Sequence, residues 1–250
     1  MILAGNWKMN KTNQQAKLFV NELIQSLAGM KFEIVLCPPF VCLTDVKELL
    51  AGTNIKLGAQ NCYYEQFGAF TGEVSPAMLK EIGVEYVIVG HSERRHIFQE
   101  TDELINKKVK AVLKNGMKPI LCVGETKEER EKGLTFCVVE LQVRQGLYGV
   151  TKEEVRNVVI AYEPVWAIGT GIVAKPWQAQ EVQRFIRQLL AELYDEETAN
   201  SVPILYGGSI KPDNFLSLIL KPDIDGGLVG GASLDRQFIE LAKIVSKVIY

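Results

Sequence analysis

The sequence predicts a (β/α)8 barrel, an α/β fold, as one domain over residues 1–250. Short apolar runs of strand length alternate with longer amphipathic segments from end to end, as in repeated β-then-α units. Eight such pairs in 250 residues match the usual size of this barrel. No linker, low-complexity tract or block of charge interrupts the series, so one domain is favoured over two.

The strands are predicted from apolar, largely β-branched runs. In order they cover about residues 2–6, 33–37, 55–60, 86–91, 118–123, 157–163, 203–208 and 224–229. Amphipathic segments with apolar residues near a period of 3.6 predict the helices. In order they cover about residues 12–28, 43–51, 76–83, 102–115, 135–148, 176–194, 212–219 and 235–248. Ser75-Pro76 is a helix-start signal, and Thr151-Lys-Glu-Glu resembles a capping box.

The composition excludes several classes of protein. A net charge of -2 offers no electrostatic footprint for nucleic acid or an anionic membrane. The longest apolar runs are of strand length and no charged-then-apolar leader precedes Ile2, so we expect a cytoplasmic protein. Five scattered cysteines and two histidines favour reduced thiols in the core and no structural metal.

Polar side chains follow three of the predicted strands. The first strand leads to Asn6 and Lys8, the fourth to His91-Ser92-Glu93, and the sixth to Glu163. In a barrel these strand ends converge on one mouth, whereas an open doubly wound sheet leaves them in a line. A base beside an electrophile and a cation suits proton abstraction next to a carbonyl. Each residue alone also has a structural interpretation, as a surface cation, a turn residue or a histidine satisfied at a strand end.

Glycine clusters follow the last three strands. Gly207-Gly208-Ser209 and Gly230-Gly231 stand where barrels often bind a phosphate through backbone donors. After Glu163, Gly169 and Gly171 permit the positive φ angles of a closing loop, although a solvated turn is the alternative. The chain has no Gly-x-x-x-x-Gly-Lys-[Ser/Thr] loop and no strand-linked Gly-x-Gly-x-x-Gly, so a nucleotide is not the expected ligand.

Five segments together are highly specific. They are Ala4-Gly-Asn-Trp-Lys-Met-Asn10, Val89-Gly-His-Ser-Glu-Arg-Arg95, Ala161-Tyr-Glu-Pro-Val-Trp-Ala-Ile-Gly-Thr-Gly171, Tyr206-Gly-Gly-Ser209 and Leu228-Val-Gly-Gly-Ala-Ser233. In this order they resemble the triosephosphate isomerase family, over essentially the whole chain. The resemblance implies the TIM-barrel fold and an aldose–ketose isomerase of glycolysis and gluconeogenesis. Its reaction interconverts dihydroxyacetone phosphate and D-glyceraldehyde 3-phosphate through an enediol(ate), with no metal and no organic cofactor.

The resemblance also implies roles for individual residues, which are those of the family. Glu163 would be the base that moves the carbon-bound proton, and His91 the neutral electrophile that polarises the carbonyl. Lys8 would offset negative charge on substrate and enediolate, and Asn6 would help to position it. Two further residues are implied as support, namely the carboxylate of Glu93 near Lys8 and the buried Cys122 behind Glu163.

The resemblance further implies a phosphate site and a lid. Gly169, Ser209, Gly230 and Gly231 match the phosphate-binding positions. The implied lid consists of Pro164, Val165, Trp166, Ala167, Ile168, Gly169, Thr170, Gly171, Ile172, Val173 and Ala174. Its closure would shield the enediol phosphate from water. The chain departs from the family at Ile172 and at Lys175-Pro176-Trp177. At the second of these the family commonly has a hydroxyl side chain as the N-cap of the next helix, so we expect the capping of that helix to be weaker by about 1 kcal/mol.

Residues 61–75 form a long, partly apolar loop, which is expected to find a partner surface. The family resemblance implies a homodimer in which this loop enters the neighbouring subunit and Thr71 approaches the site there. A loop folded onto its own barrel is the alternative. Two other function classes stay open: a Schiff-base aldolase, which needs a desolvated lysine on a strand, and a non-catalytic phosphate-binding barrel.

Overall fold

The computed structural model of the chain describes residues 1–168 and 173–249. Eight parallel strands form a closed barrel in which each strand pairs with the next and β8 pairs with β1. The strands are β1 (Ile2–Asn6), β2 (Glu33–Cys37), β3 (Lys56–Ala59), β4 (Tyr86–Val89), β5 (Lys118–Val123), β6 (Val159–Tyr162), β7 (Ile204–Tyr206) and β8 (Gly226–Val229). The predicted (β/α)8 architecture is confirmed, and each strand ends within two residues of its predicted bounds.

Helices connect the strands around the outside of the barrel. They are α1 (Asn13–Leu27), α2 (Leu43–Leu49), α3 (Pro76–Ile82), α4 (Ser92–His96), α5 (Asp102–Lys114), α6 (Lys127–Glu131), α7 (Thr135–Gly146), α8 (Lys152–Val155), α9 (Pro176–Leu193), α10 (Glu196–Ser201), α11 (Pro212–Ile219) and α12 (Gln237–Ile249). The eight predicted helices all form. The short helices α4, α6, α8 and α10 were not among them, because one or two turns leave no periodic apolar pattern to detect.

Local capping chemistry explains where two of the helices begin. The Ser75 hydroxyl accepts the Met78 N–H at 3.2 Å, and proline follows at the first helical position of α3. Thr151 and Glu154 form a reciprocal capping box at α8. The capping box at Thr151 therefore marks a true helix start, although α8 is too short to show a periodic apolar pattern.

The strands are buried on both faces, which is why they read as continuous apolar runs. Ile2 and Ala4 point into the barrel, where they join a cluster with residues of most other strands. Leu3, between them, belongs to the layer that packs beneath the helices. This alternation divides the core into a barrel interior and an outer layer between sheet and helices.

The cysteine thiols lie mostly in the core. Four of the five free cysteines are buried, and only Cys137 on α7 is exposed. Burial raises the pKa of Cys37 to about 12. Over residues 1–168 and 173–249, no cluster of three metal-ligating side chains is found and no helix is long and apolar enough to cross a membrane.

Closure of the barrel depends on a close backbone contact between β1 and β8. Ile2 pairs with Gly226, and the Ile2 N–H donates to the Asp225 carbonyl at 2.9 Å. Gly226 has φ of +142°, and a Cβ at this position would overlap the Ile2 carbonyl oxygen. Only glycine therefore allows the last strand to reach the first.

We predict that Gly226→Ala costs more than about 3 kcal/mol of unfolding free energy, because the new methyl group must push β8 away from β1. Gly29→Ala is the matched control, since Gly29 also has a positive φ, of +81°, but no atom lies within 4 Å of its Cβ position. The control is expected to lose about 1 kcal/mol. Urea unfolding followed by far-ultraviolet circular dichroism measures both, and equal losses would contradict the closure argument.

Candidate active site

The carboxyl ends of the strands surround a cavity of about 330 Å³. Seven of the eight residues predicted to act on the substrate or its phosphate line this cavity: Asn6, Lys8, His91, Glu163, Ser209, Gly230 and Gly231. The eighth, Gly169, lies outside the described residues. Residues that are far apart in the chain therefore share one mouth, because parallel strands in a closed barrel all end on the same side.

Glu163 follows β6 and is almost fully buried, with 2% of its surface exposed. Its Oε1 lies 2.9 Å from Nε2 of His91, and its Oε2 accepts the Ser92 N–H at 2.9 Å. Gly207, the residue after β7, makes room for this side chain, because a Cβ there would lie 2.9 Å from Cγ of Glu163. Two donors thus compensate the buried carboxylate for its lost hydration.

His91 is the N-cap of α4, and this position sets its tautomer. Its Nδ1 accepts the backbone N–H of Glu93 at 3.2 Å. A ring nitrogen that accepts a hydrogen bond carries no proton, so in the neutral ring the proton is on Nε2, which faces Glu163. The local structure at the start of α4 therefore prepares an imidazole N–H donor at the edge of the cavity.

The two groups shift each other's pKa in opposite directions. Burial lowers the pKa of His91, but the charge of Glu163 and the hydrogen bond to it, helped by Glu93, raise it, and the net direction is upward. Burial raises the pKa of Glu163, but His91, the Ser92 N–H and Lys8 lower it, and the net direction is downward. The pair is therefore electrostatically coupled, and each charge state depends on the other.

Lys8 is held at the cavity by three neighbours. Its Nζ lies 2.7 Å from Oε1 of Glu93, its N–H donates to Oδ1 of Asn6 at 3.1 Å, and its carbonyl accepts from Nε2 of Gln60 at 2.8 Å. Its backbone has φ of +53°, which is unusual for a residue with a long side chain. A strained backbone of this kind persists only where the surrounding contacts hold it in place, and residues with such a backbone are found mainly at functional sites.

Several residues and contacts of the site were missed from the sequence. Gln60 holds Lys8, and Ser92 donates to Glu163. Lys211 and Gln237 also line the cavity. Gln60 ends one predicted strand and Ser92 directly follows another, and this position was the one sequence feature that indicated they could reach the site.

The predicted phosphate-binding residues come from two neighbouring strand ends. Ser209 follows β7, and its N–H donates to the Ala167 carbonyl at 3.1 Å. Gly230 follows β8 and caps a 3-10 turn over Gly231–Ser233. No atom lies within 4 Å of a Cβ position at Gly231, so its backbone faces open space where an anion can approach.

Glu93 lies beside Lys8, and Cys122 lies on the strand that pairs with β6. Glu93 contacts Lys8 and lies 3.5 Å from Nδ1 of His91. Cys122 is fully buried on β5, where it pairs with Ala161, in the strand that leads to Glu163. Burial, followed by the charge of Glu163, raises the pKa of this thiol well above its usual range.

The start of the predicted lid is tied to a second buried carboxylate. Residues Val165–Ala167 form a 3-10 turn, and Nε1 of Trp166 donates to Oε1 of Glu125 at 2.8 Å. Pro164, Ile168, Val173 and Ala174 are described as well. The lid residues Gly169, Thr170, Gly171 and Ile172 lie outside the described residues.

Helix α9 begins directly after the predicted lid, at the departure from the family pattern. Lys175 is the N-cap and its N–H donates to Oε1 of Gln178 at 2.9 Å. Half of a capping box is therefore present, from the third helical residue back to the cap. The other half, an N-cap side chain that accepts a backbone N–H, is missing, because lysine has no acceptor.

The loop over residues 61–75 projects its tip into solvent. Phe67 is 87% exposed, and residues 67–73 are all exposed, Thr71 among them. Phe70 packs back against Tyr63 of the same loop, with the ring centroids 4.6 Å apart. The Phe67 side chain does not pack onto its own barrel.

A family model described as triosephosphate isomerase matches residues 1–247. The chain belongs to the triosephosphate isomerase family. Triosephosphate isomerase from Carboxydothermus hydrogenoformans is 62% identical over 233 residues, which is 93% of each chain. That of Caldanaerobacter subterraneus subsp. tengcongensis is 56% identical over 245 residues, 98% of each chain, and that of Clostridium tetani is 52% identical over 233 residues, 93% of this chain and 91% of the relative.

We predict that Glu163→Gln lowers the pKa of His91. The glutamine removes the negative charge that raises this pKa and leaves burial, which lowers it, as the larger influence. NMR titration of the imidazole signals measures the change directly. His96 is exposed, lies outside this cluster and is the other histidine of the chain, so its signal is the internal reference. An unchanged or higher pKa at His91 would contradict the coupling.

Proposed function

We propose that this protein is a triosephosphate isomerase, which interconverts dihydroxyacetone phosphate and D-glyceraldehyde 3-phosphate in glycolysis and gluconeogenesis. The observation that carries the proposal is one cavity that contains a buried carboxylate, a histidine with a fixed tautomer and a cation. These groups supply the base, the electrophile and the charge compensation that aldose–ketose isomerisation requires. Family membership supports the same reaction.

In the proposed mechanism Glu163 takes a proton from one substrate carbon and returns it to the neighbouring carbon. Both of its oxygens accept hydrogen bonds in this structure, from His91 and Ser92. The substrate must therefore replace at least one of these donors before the carboxylate reaches a carbon-bound proton. Burial of Glu163 makes this exchange productive, because a carboxylate that gives up a donor without regaining water becomes a stronger base.

His91 and Lys8 would act on the substrate oxygens. The Nε2 proton of His91 would polarise the carbonyl and then pass between the two oxygens of the enediolate. Lys8, with Asn6 supporting its backbone, would offset the negative charge that develops. Its ion pair with Glu93 keeps the ammonium at the cavity before the substrate arrives.

The phosphate would lie between the ends of β7 and β8. Ser209, Gly230 and Gly231 line that side of the cavity, and Gly169 would complete the site from the lid. Backbone donors are sufficient for this, so a chain with a net charge of -2 needs no basic patch. Closure of residues 164–174 would exclude water and protect the enediol phosphate from elimination. No metal or organic cofactor takes part, and the site of action would be the cytoplasm.

The aldolase alternative is less well supported by the surroundings of Lys8. A Schiff-base lysine must be an uncharged nucleophile, which a hydrophobic pocket or a neighbouring cation favours. Lys8 instead has 28% of its side chain exposed and forms an ion pair with Glu93 at 2.7 Å, so it lies in neither environment. Borohydride trapping with dihydroxyacetone phosphate distinguishes the two, since only the aldolase forms a reducible adduct.

We predict that Glu163→Gln lowers kcat by about 10²–10⁴-fold, because the amide cannot accept the carbon-bound proton. Lys8→Met is expected to lower kcat/KM by about 10²–10³-fold through loss of charge stabilisation. A coupled spectrophotometric assay in both directions measures each effect. Glu240→Gln, an exposed carboxylate on α12, is the matched control and should retain full activity. Full activity in Glu163→Gln would rule out Glu163 as the base.

The proposed functional unit is a homodimer of single-domain subunits, joined through the loop over residues 61–75. The exposed Phe67 at the loop tip supports this, because an isolated apolar tip gains from burial against a partner. In the dimer Thr71 would approach the neighbouring Asn6 and Lys8, so association would also steady the conformation of Lys8.

We predict that Phe67→Glu shifts the protein from dimer to monomer in sedimentation velocity at low micromolar concentration. Activity per subunit should fall with the dimer fraction, because the neighbour's loop no longer supports Lys8. Leu18→Glu on α1 introduces the same charge at another exposed apolar side chain, 69% exposed, and controls for surface charge alone. An unmodified chain that sediments as a fully active monomer would contradict this assembly.

A further inference from the structure

Helix α9 presents an aromatic and charged face on the outside of the barrel. It forms the floor of a groove of about 680 Å³, which shares no residue with the active-site cavity. Six residues of α9 line the groove: Trp177, Gln180, Glu181, Arg184, Phe185 and Gln188. Phe136 of α7 borders it and contacts Phe185, with ring centroids 5.0 Å apart.

This face leaves unusual groups in solvent. Trp177 is 58% exposed and Phe136 is 38% exposed. Within residues 1–168 and 173–249, neither Glu181 nor Arg184 has an ion-pair partner within 4.0 Å, although many other surface charges of the chain are paired. Aromatic side chains and arginine are enriched at protein interfaces, so this combination marks a candidate interaction surface.

The spacing of the six residues identifies the kind of partner. Positions 177, 181, 184 and 188 form one stripe along the helix, because they are separated by four, three and four residues. The whole set is symmetric about the midpoint between residues 182 and 183. Reversing the direction of the helix therefore exchanges Trp177 with Gln188, Gln180 with Phe185, and Glu181 with Arg184. A stripe with this property is complementary to an antiparallel copy of itself.

The charges agree with this arrangement. When a twofold axis passes through the midpoint, Glu181 faces Arg184 of the second copy, and the same pair repeats on the other side of the axis. Trp177 meets Gln188 of the second copy, whose amide oxygen can accept the indole N–H. Every unpaired charge on the stripe thus finds an opposite charge, and the exposed tryptophan is covered.

We propose that the α9 face is a twofold contact between copies of this chain, separate from the loop over residues 61–75. One pair of helices buries less surface than the roughly 800 Å² per partner of a standard stable interface. The contact is therefore weak and forms at high protein concentration. The α9 contact joins the oligomers proposed to form through the loop over residues 61–75, so association through α9 increases the mass of the assembly.

Sedimentation velocity from about 5 to about 500 µM tests the proposal. The unmodified chain should increase in mean mass with concentration. Arg184→Glu and Glu181→Arg each place like charges opposite one another, and each should weaken the association at least about tenfold. The double variant Glu181→Arg, Arg184→Glu restores opposite charges across the axis and should restore the association. Glu240→Arg, an exposed charge reversal on α12, should have no effect.

Three outcomes would overturn the proposal. One is a single mass at every concentration, and a second is growth in mass that Arg184→Glu leaves unchanged. The third is a double variant that associates no better than the single ones. If the mass stays constant while anilinonaphthalene sulfonate alters the emission of Trp177, the groove takes a small aromatic anion instead. None of these outcomes bears on the isomerase assay, because the groove and the active-site cavity have no residue in common.

Discussion

Closure of the sheet, through the pairing of β8 with β1, is the constraint on which the rest of this structure depends. It brings the first and last parts of the chain together, so that Lys8 and Gly230 lie side by side at the mouth. The Ser233 hydroxyl donates to the Asn6 carbonyl at 3.3 Å across the same junction. An open sheet would separate these groups by its full width, and no common cavity would form.

Two buried carboxylates, Glu125 and Glu163, differ in the groups that donate hydrogen bonds to them. Glu125 is fully buried and accepts hydrogen bonds from Tyr162, Trp166 and Arg130, which fixes the start of the lid segment. Glu163 has fewer donors, and one of them is a titratable histidine. A carboxylate whose partner can itself change charge is suited to proton transfer, whereas a fully saturated one is suited to holding structure.

Much of the site could be predicted from the sequence, since strand order and strand ends identify which residues reach the mouth. Asn6, Lys8, His91 and Glu163 all follow predicted strands, and they line one cavity. Gln60 could not be predicted, because its importance lies in a bond to Lys8 across the barrel. Ser92 could be placed at a strand end, but its bond to Glu163 could not be predicted. The left-handed backbone of Lys8 was also beyond prediction, since lysine gives no sign of it. Residues 169–172 of the predicted lid lie outside the described part of the chain.

The sequence by itself determined the architecture and the family. Apolar runs of strand length and helical segments with a period of 3.6 are local properties, and eight successive pairs of them match the size of a closed barrel, which buries both faces of every strand. Only the tertiary structure decided the electrostatics: which oxygen of Glu163 faces His91, which nitrogen of His91 accepts the Glu93 N–H, and which charges on α9 have no partner. Distances of a few ångströms between elements set these, and Coulomb energies in a buried site depend steeply on such distances.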